Sequence, residues 1–507
     1  MSAQIPDWLG QRARLTPERV AVRDGASIWT YRELDERASR FAIRLRDLGV
    51  TPGARVATLA GASLEFVTAV HGVARAGAVL VPLNTRLTVA ELAWQVADCQ
   101  PALVVADSVH TAAAASVVDA VGLPKPVDLA TLAAGDGPPT PTPLRWVSAE
   151  DVHTVLYTSG TTGRPKGALL TYGNHTWSAI GSALNLGLRP DDSWIACLPL
   201  FHVGGLSILI RAALYGIAVD LQRGFDPAAV NAAIDRGATM VSLVAVMLER
   251  LLDHRGGRPF PTTLRCVLVG GGPTPPDLLR RAVAAGAPVV QTYGLTEAAS
   301  QVTTLAPEDA VARLGSAGKP LFPTEVQIVA PDGSPLPAGV PGEIAVRGLT
   351  VSPGYLGRQP DRPDGWLRTG DIGFLDADGY LTVLDRRDDL IITGGENVYP
   401  AEVEAVLREH PAVIDAGVVG APDPVWGQRV VAFVVLADPT LPDLAAFCRA
   451  RLAGYKAPRA VLPVSHLPRT ASGKLLRHEL RRWLREQPEA ALPADGATEP
   501  DRQPPAG

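Results

Sequence analysis

The 507-residue chain carries 47 basic and 52 acidic side chains, a net charge of −5 and 47% hydrophobic residues. At roughly 100–200 residues per domain, that length accommodates several domains around a sizeable core. Charged residues at 20% and aromatics at 5% exclude a disordered polyelectrolyte and a coiled coil, and no basic block is long enough for a nucleic-acid surface.

Apolar runs at Arg55–Ala60, Ala78–Leu83 and Ala102–Asp107 predict buried strands, with amphipathic helices between them at Leu64–Ala76 and Thr88–Ala97. Such alternation predicts α/β layers around largely parallel sheets. Val121–Leu144, rich in Pro, Ala and Gly, reads as a surface connection. Further strands are predicted at Val152–Tyr157, Trp194–Leu198, Ile217–Leu221, Arg265–Val269 and Val289–Gln291. Glu325–Val329 and Glu343–Arg347 are set off by Pro-Asp-Gly-type turns, which predicts an antiparallel β unit.

Charges at Leu384–Asp389 interrupt two apolar stretches and mark a boundary, giving units 1–385 and 386–486. The second unit is predicted to hold a helix at Pro400–Glu409, strands near Val413–Val419 and Val430–Leu436, a helix near Leu441–Leu452 and a basic helix ending near Glu486. The tail, 487–507, is mostly Pro, Ala, Gly and acidic residues and is expected to be disordered.

Cys99, Cys197, Cys266 and Cys448 are scattered with no CxxC pair, so structural zinc and a disulfide framework are not expected. Met1–Arg12 lacks the pattern of a signal peptide, and no apolar run reaches the ~20 residues of a membrane span. A cytoplasmic protein is the expectation. Lysine occurs only at Lys125, Lys166, Lys319, Lys456 and Lys474, which points to a chemical requirement at the positions that keep it.

The sharpest local signal is Tyr157-Thr158-Ser159-Gly160-Thr161-Thr162-Gly163-Arg164-Pro165-Lys166-Gly167, directly after a predicted strand. Its glycines let backbone N–H groups turn onto an anion, its hydroxyls add donors and Lys166 adds a point charge. It is not a Walker loop, because GxxxxGK[ST] is absent. Further motifs follow in order: Leu198-Pro199-Leu200-Phe201-His202, Gly270-Gly271-Gly272-Pro273, Gln291-Thr292-Tyr293-Gly294-Leu295-Thr296-Glu297, Thr369-Gly370-Asp371, Gly394-Gly395-Glu396-Asn397 and Pro468-Arg469-Thr470-Ala471-Ser472-Gly473-Lys474.

This series, from Trp8 to Trp483, resembles the superfamily of adenylate-forming enzymes: acyl-CoA synthetases, luciferases and nonribosomal-peptide adenylation domains. The resemblance implies an α/β fold with a large N-terminal domain of two α/β subdomains plus a β-barrel, and a small mobile α+β C-terminal domain. It implies ATP, Mg²⁺ and CoA as cosubstrates and cofactor, a small carboxylic acid as substrate, and a homodimer.

The residue roles carried over by this resemblance are as follows. Thr158, Ser159, Gly160, Thr161, Thr162 and Lys166 hold the β- and γ-phosphates. Thr296 contacts the α-phosphate and Glu297 binds Mg²⁺, as suits a hard cation. Gly271, Gly272, Tyr293 and Gly294 flank the adenine. Asp371 accepts the ribose hydroxyls, with Arg386 assisting. Lys474 stabilises charge developing between carboxylate and α-phosphate. Asp388 is the hinge about which the small domain turns to present Gly394, Gly395 and Glu396 to the CoA half-reaction. His202 gates the acyl pocket from the thiol tunnel.

Flanking residues narrow the substrate. Phe201-His202-Val203-Gly204-Gly205-Leu206-Ser207 holds no acid to pair with an α-amino group, which disfavours an amino acid. Trp194–His202, Arg265–Pro273, Ser300–Leu305 and Leu314–Leu321 resemble the 2-succinylbenzoate–CoA ligases of menaquinone synthesis. That substrate has a second carboxylate, which must stay charged inside an apolar pocket. Arg211 is the expected bidentate partner, with Ser207 and Thr303 as further donors. Gly204 stands where this subfamily commonly has serine, which keeps a medium-chain, long-chain or aromatic acyl-CoA synthetase open. A carrier-protein thiol in place of CoA and a non-catalytic relative are further alternatives.

Overall fold

The structure, a computed structural model, describes residues 3–134, 144–158, 165–272, 274–358, 362, 364–385, 390–438, 441–468 and 475–486. Two large sheets form the body. The first has seven strands, in the spatial order Gly354–Tyr355, Lys166–Thr171, Val152–Thr158, Val79–Pro82, Arg55–Leu59, Leu103–Ala106 and Val127–Asp128. Its interior pairs are parallel, as βαβ alternation requires, whereas Val152–Thr158 and Lys166–Thr171 form an antiparallel hairpin. The second sheet has nine strands and a parallel centre of Cys266–Val269, Met240–Leu243, Ser193–Ala196 and Ala218–Leu221.

Helices Leu64–Ala76 and Val203–Tyr215 are almost wholly buried. One apolar cluster contains Leu80 and Leu156 of the first sheet, Val70 and Ile208 of these helices, and Trp194 and Met240 of the second sheet. The apolar positions of Leu64–Ala76 run all round the helix because it packs on both sides. Ser63 caps its start by accepting from the Phe66 N–H, and Gly77, at φ +83°, ends it.

Thr324–Val329, Gly342–Gly348, Leu367–Leu375 and Leu381–Asp385 form an antiparallel four-stranded sheet, in the place where the resemblance implied a barrel. A smaller C-terminal unit has its own sheet, built around Val413–Asp423 and Gly427–Leu436, and its own apolar clusters. Its basic helix spans Arg477–Glu486, and its middle helix, Leu444–Arg449, is shorter than expected.

The connection after Val121 is more than a surface loop. Val127–Asp128 adds a strand to the first sheet, and Leu129 and Leu132 of the following helix are buried. Two leucines at helical spacing outweigh the local Pro/Ala/Gly composition. The charged boundary 386–389 and the tail 487–507 lie outside the described residues. No described helix is long and apolar enough to cross a membrane.

Candidate active site

A cavity of about 550 Å³ opens between the sheet ends and the small unit. Hairpin geometry supplies one wall. Thr158 and Lys166 are register partners across the two strands, so both point functional groups at the hairpin mouth. Gly354–Tyr355 pairs on the outer side of Lys166–Thr171, which brings Tyr355 alongside. The Lys166 Nζ lies 5.5 Å from the centre of the Tyr355 ring.

Thr296 and Glu297 sit on a short 3₁₀ turn directly after strand Val289–Leu295. The Glu297 Oε1 accepts from the Tyr355 hydroxyl at 2.7 Å and from the Thr158 hydroxyl at 3.2 Å. Burial, then Glu297, raises the Tyr355 phenol, so it stays a donor. Among the described residues no three His, Cys, Asp or Glu form a cage. A single carboxylate beside a phosphate site is nevertheless the donor set Mg²⁺ takes, since this ion keeps its waters and shares its shell with phosphate oxygens.

At the end where the resemblance expects the nucleotide, Gly271, Gly294, Thr296 and Asp371 line the cavity. Tyr293 does not line it. Its ring is buried and its hydroxyl donates to Asp371 Oδ2 at 2.7 Å, so it positions the acid where a face against adenine was expected. Gly272 is also off the lining; a Cβ there would stand 2.7 Å from Ile392 Cδ1 of the small unit. Gly294 is glycine for a packing reason, because its Cβ would fall 1.9 Å from the Ser300 carbonyl oxygen.

At the end where the resemblance expects the acyl group, helix Val203–Tyr215 starts after its N-cap His202 and carries Arg211 two turns further along the same face as Gly204. Arg211 is 2% exposed yet lines the cavity. One guanidinium nitrogen donates to the Ser178 hydroxyl at 3.2 Å, and its carbon lies 5.8 Å from the Trp194 ring centre. Burial lowers its pKa, and among the described residues no acid pairs with it.

Ser207 and Thr303 are corrections. Ser207 is buried and folds its hydroxyl onto its own helix, donating to the Gly204 carbonyl at 3.3 Å. Thr303 is fully buried, and neither residue lines the cavity. Ser300 and Gln301 reach the cavity instead, because a bulge at Tyr293/Gly294 shifts the register of Ser300–Thr304.

The small unit closes the remaining side with Gly394, Gly395 and Glu396. Glu396 is 3% exposed. Its Oε1 accepts from Arg86 Nη1 at 2.7 Å, and its Oε2 lies 3.0 Å from His202 Nε2. Burial alone would raise the carboxyl, but His202, Arg86 and Lys456 together hold it below the ordinary range. Gly394 takes φ +57° and presses on the Trp426 ring, leaving no room for a side chain.

Ser159, Gly160, Thr161, Thr162, Arg386, Asp388 and Lys474 lie outside the described residues. The sequence reading missed Arg86, Ser178 and Tyr355. Arg86 stands in a connection with no local pattern. Tyr355, in Ser352-Pro353-Gly354-Tyr355, carried a turn signal that went unused.

The AMP-binding enzyme family matches residues 9–356, and the AMP-binding enzyme C-terminal domain matches 402–474. The 2-succinylbenzoate–CoA ligase of Geobacillus kaustophilus (strain HTA426) is 49% identical, over 95% of this chain and 98% of that protein. A double mutant of o-succinylbenzoate CoA synthetase from Bacillus subtilis, bound with its product analogue OSB-NCoA, superposes with a TM-score of 0.89 at 42% identity, over 94% of this chain and 98% of that one. The Bacillus subtilis enzyme in complex with the acyl-adenylate intermediate OSB-AMP gives a TM-score of 0.73 at 42% identity, with the same coverage. With matches of this extent, the chain belongs to the AMP-binding enzyme family.

Proposed function

We propose that this protein is an ATP-dependent acid–CoA ligase acting on 2-succinylbenzoate in menaquinone biosynthesis. The observation that carries the substrate is Arg211, a buried guanidinium at the acyl end of the cavity with no acid partner among the described residues. An unpaired buried cation is costly, and a substrate carboxylate removes that cost. A fatty acid offers no such group.

In the first half-reaction, the succinyl carboxylate oxygen attacks the α-phosphorus of ATP, and the bond to pyrophosphate breaks. Thr158 and Lys166, with the loop between them, hold the phosphates, and Thr296 faces the α-phosphate. Glu297, fixed by Tyr355 and Thr158, would hold Mg²⁺, which when bound neutralises phosphate charge. Asp371, oriented by Tyr293, takes the ribose hydroxyls. Lys474 is assigned the developing charge of this step by motif. The ring carboxylate stays on Arg211, which leaves the succinyl arm directed at the phosphate end.

In the second half-reaction, the CoA thiolate attacks the acyl carbon and AMP leaves, the thiol proton passing to solvent. Rotation about Asp388, at the 385/386 boundary, brings Gly394–Glu396 to the cavity, and Glu396 draws His202 toward the small unit. A cytoplasmic location suits these substrates.

The test is AMP release with ATP, Mg²⁺ and CoA across 2-succinylbenzoate, benzoate, octanoate and palmitate. Strong preference for 2-succinylbenzoate is expected. Preference for another acid would leave the two-step mechanism and refute the substrate.

A further inference from the structure

Segment 84–91 of the large unit meets the small unit at several points. The Asn84 amide donates to the Tyr455 hydroxyl at 3.4 Å, Arg86 holds Glu396, and the Thr88 hydroxyl donates to the Arg451 carbonyl at 3.2 Å. The strongest contact is a three-residue charge cluster. The Lys456 ammonium, 3% exposed, donates to Glu91 Oε1 at 2.6 Å across the boundary and to Glu402 Oε1 at 2.8 Å within the small unit. The other Glu91 oxygen accepts from the Ala453 N–H at 2.9 Å and from the Thr88 N–H at 2.8 Å.

The two acids have different allegiances. Glu402 belongs to the same unit as Lys456 and can neutralise it wherever that unit sits. Glu91 belongs to the large unit and reaches Lys456 only in the arrangement seen here. The Glu91 helix cap through Thr88 and the Lys456–Glu402 pair each lie within one unit, so neither depends on the contact between the units. Neither arrangement strands a buried charge, which is what a two-position element requires. Over 94% of its length the chain also superposes better on the product-analogue complex of the Bacillus subtilis double mutant than on the acyl-adenylate complex of that enzyme.

We infer that Glu91 and Lys456, with Glu402 as the standing counter-acid, form a clasp that selects the arrangement closing Gly394–Glu396 over the cavity. The clasp sets the rate of the thioester-forming half-reaction and leaves adenylation alone. Glu91 is thus a positioning residue: it does not line the cavity. This inference rests on the ligase reading above.

The test separates the half-reactions in Glu91→Gln, which keeps an acceptor for the helix cap but loses the charge. Thioester formation from supplied acyl-adenylate and CoA should slow on the order of tenfold. ATP–pyrophosphate exchange with 2-succinylbenzoate should be unchanged. Glu91→Asp, which keeps the charge with a shorter reach, should lose less and in the thioester step alone. It carries the test if Glu91→Gln does not fold. Equal loss in both steps, or no loss in the thioester step, overturns the clasp while an active wild type keeps the ligase reading. A wild-type protein that catalyses neither step overturns both.

Discussion

Glu396 Oε2 lies 3.0 Å from His202 Nε2, so a residue of the small unit completes the cavity wall that the large unit builds at the start of helix Val203–Tyr215. Arg86 holds the same carboxylate from the other side at 2.7 Å. Replacing Glu396 by Gln keeps a hydrogen-bonding group but leaves Arg86 uncompensated. Arg86 stays partly exposed, so the loss bears chiefly on the contact between the two units that this arrangement makes. Thioester formation should therefore fall at least tenfold while ATP–pyrophosphate exchange persists. Rapid-quench measurement of the two steps checks this, and a parallel decline would refute it.

Arg211→Leu removes the cation at the acyl end without opening a polar gap. Loss of a buried charge-pair partner for the substrate carboxylate should lower kcat/KM for 2-succinylbenzoate by about 2–5 kcal/mol of transition-state binding. Benzoate and octanoate should suffer far less. Steady-state kinetics on these acids decide the matter: unchanged turnover of 2-succinylbenzoate excludes the clamp.

Tyr355→Phe deletes one of the two donors to Glu297 Oε1. Loss of a supporting hydrogen bond behind a metal ligand typically costs about 10–100-fold in metal affinity. The Mg²⁺ concentration needed for half-maximal exchange should rise accordingly, and Mn²⁺ binding with ATP, read by electron paramagnetic resonance, should weaken in step. Unaltered Mn²⁺ affinity would show that Tyr355 only packs.

Gly294→Ala places a methyl 1.9 Å from the Ser300 carbonyl oxygen, inside a β-bulge whose backbone cannot yield cheaply. Overpacking of this kind costs about 1–3 kcal/mol or more. Denaturant unfolding should show the midpoint lowered at constant slope. A midpoint equal to wild type would mean the strand shifts freely.

His71, His153 and His175 are buried away from the cavity, the latter two beside Trp8. Burial, with Arg75 nearby, lowers the His71 pKa to about 4; burial, with Arg211 nearby, lowers that of His175 to about 3; burial drives His153 well below 6.5. The folded values lie below the unfolded one, so the unfolded chain binds more protons in between. Stability from these neutral rings is complete above pH 6.5 and is lost as pH falls from there toward 4. Thermal midpoints should decline over that window, and less steeply in His71→Asn. A flat profile for wild type would contradict the assignment.

Helix Leu64–Ala76 and the strand running into Thr158 were legible because hydrophobic period, caps and glycine punctuation act over a few residues; the return strand Lys166–Thr171, which pairs with it, was not. The family resemblance pointed to Thr296, Glu297, Asp371 and Arg211, which all line one cavity. A local pattern cannot say which way a residue turns within its element. Thr303 and Ser207 carried suitable hydroxyls, but a bulge and a helix carbonyl decided their orientation. Tyr293 looked like an aromatic flank and serves Asp371 through its hydroxyl.

What the sequence by itself pointed to is the chemistry: a glycine- and hydroxyl-rich loop with a lysine suited to phosphate and, through its family resemblance, candidates for a hard-cation ligand, a ribose acid and an arginine facing a second carboxylate. Only the tertiary structure decided how the two units meet. Arg86 joins Glu396 across 310 positions and Lys456 joins Glu91 across 365. No periodicity spans such distances; the sheets and the small unit bring these charges together, and the burial of Glu396 and Lys456 favours their pairing.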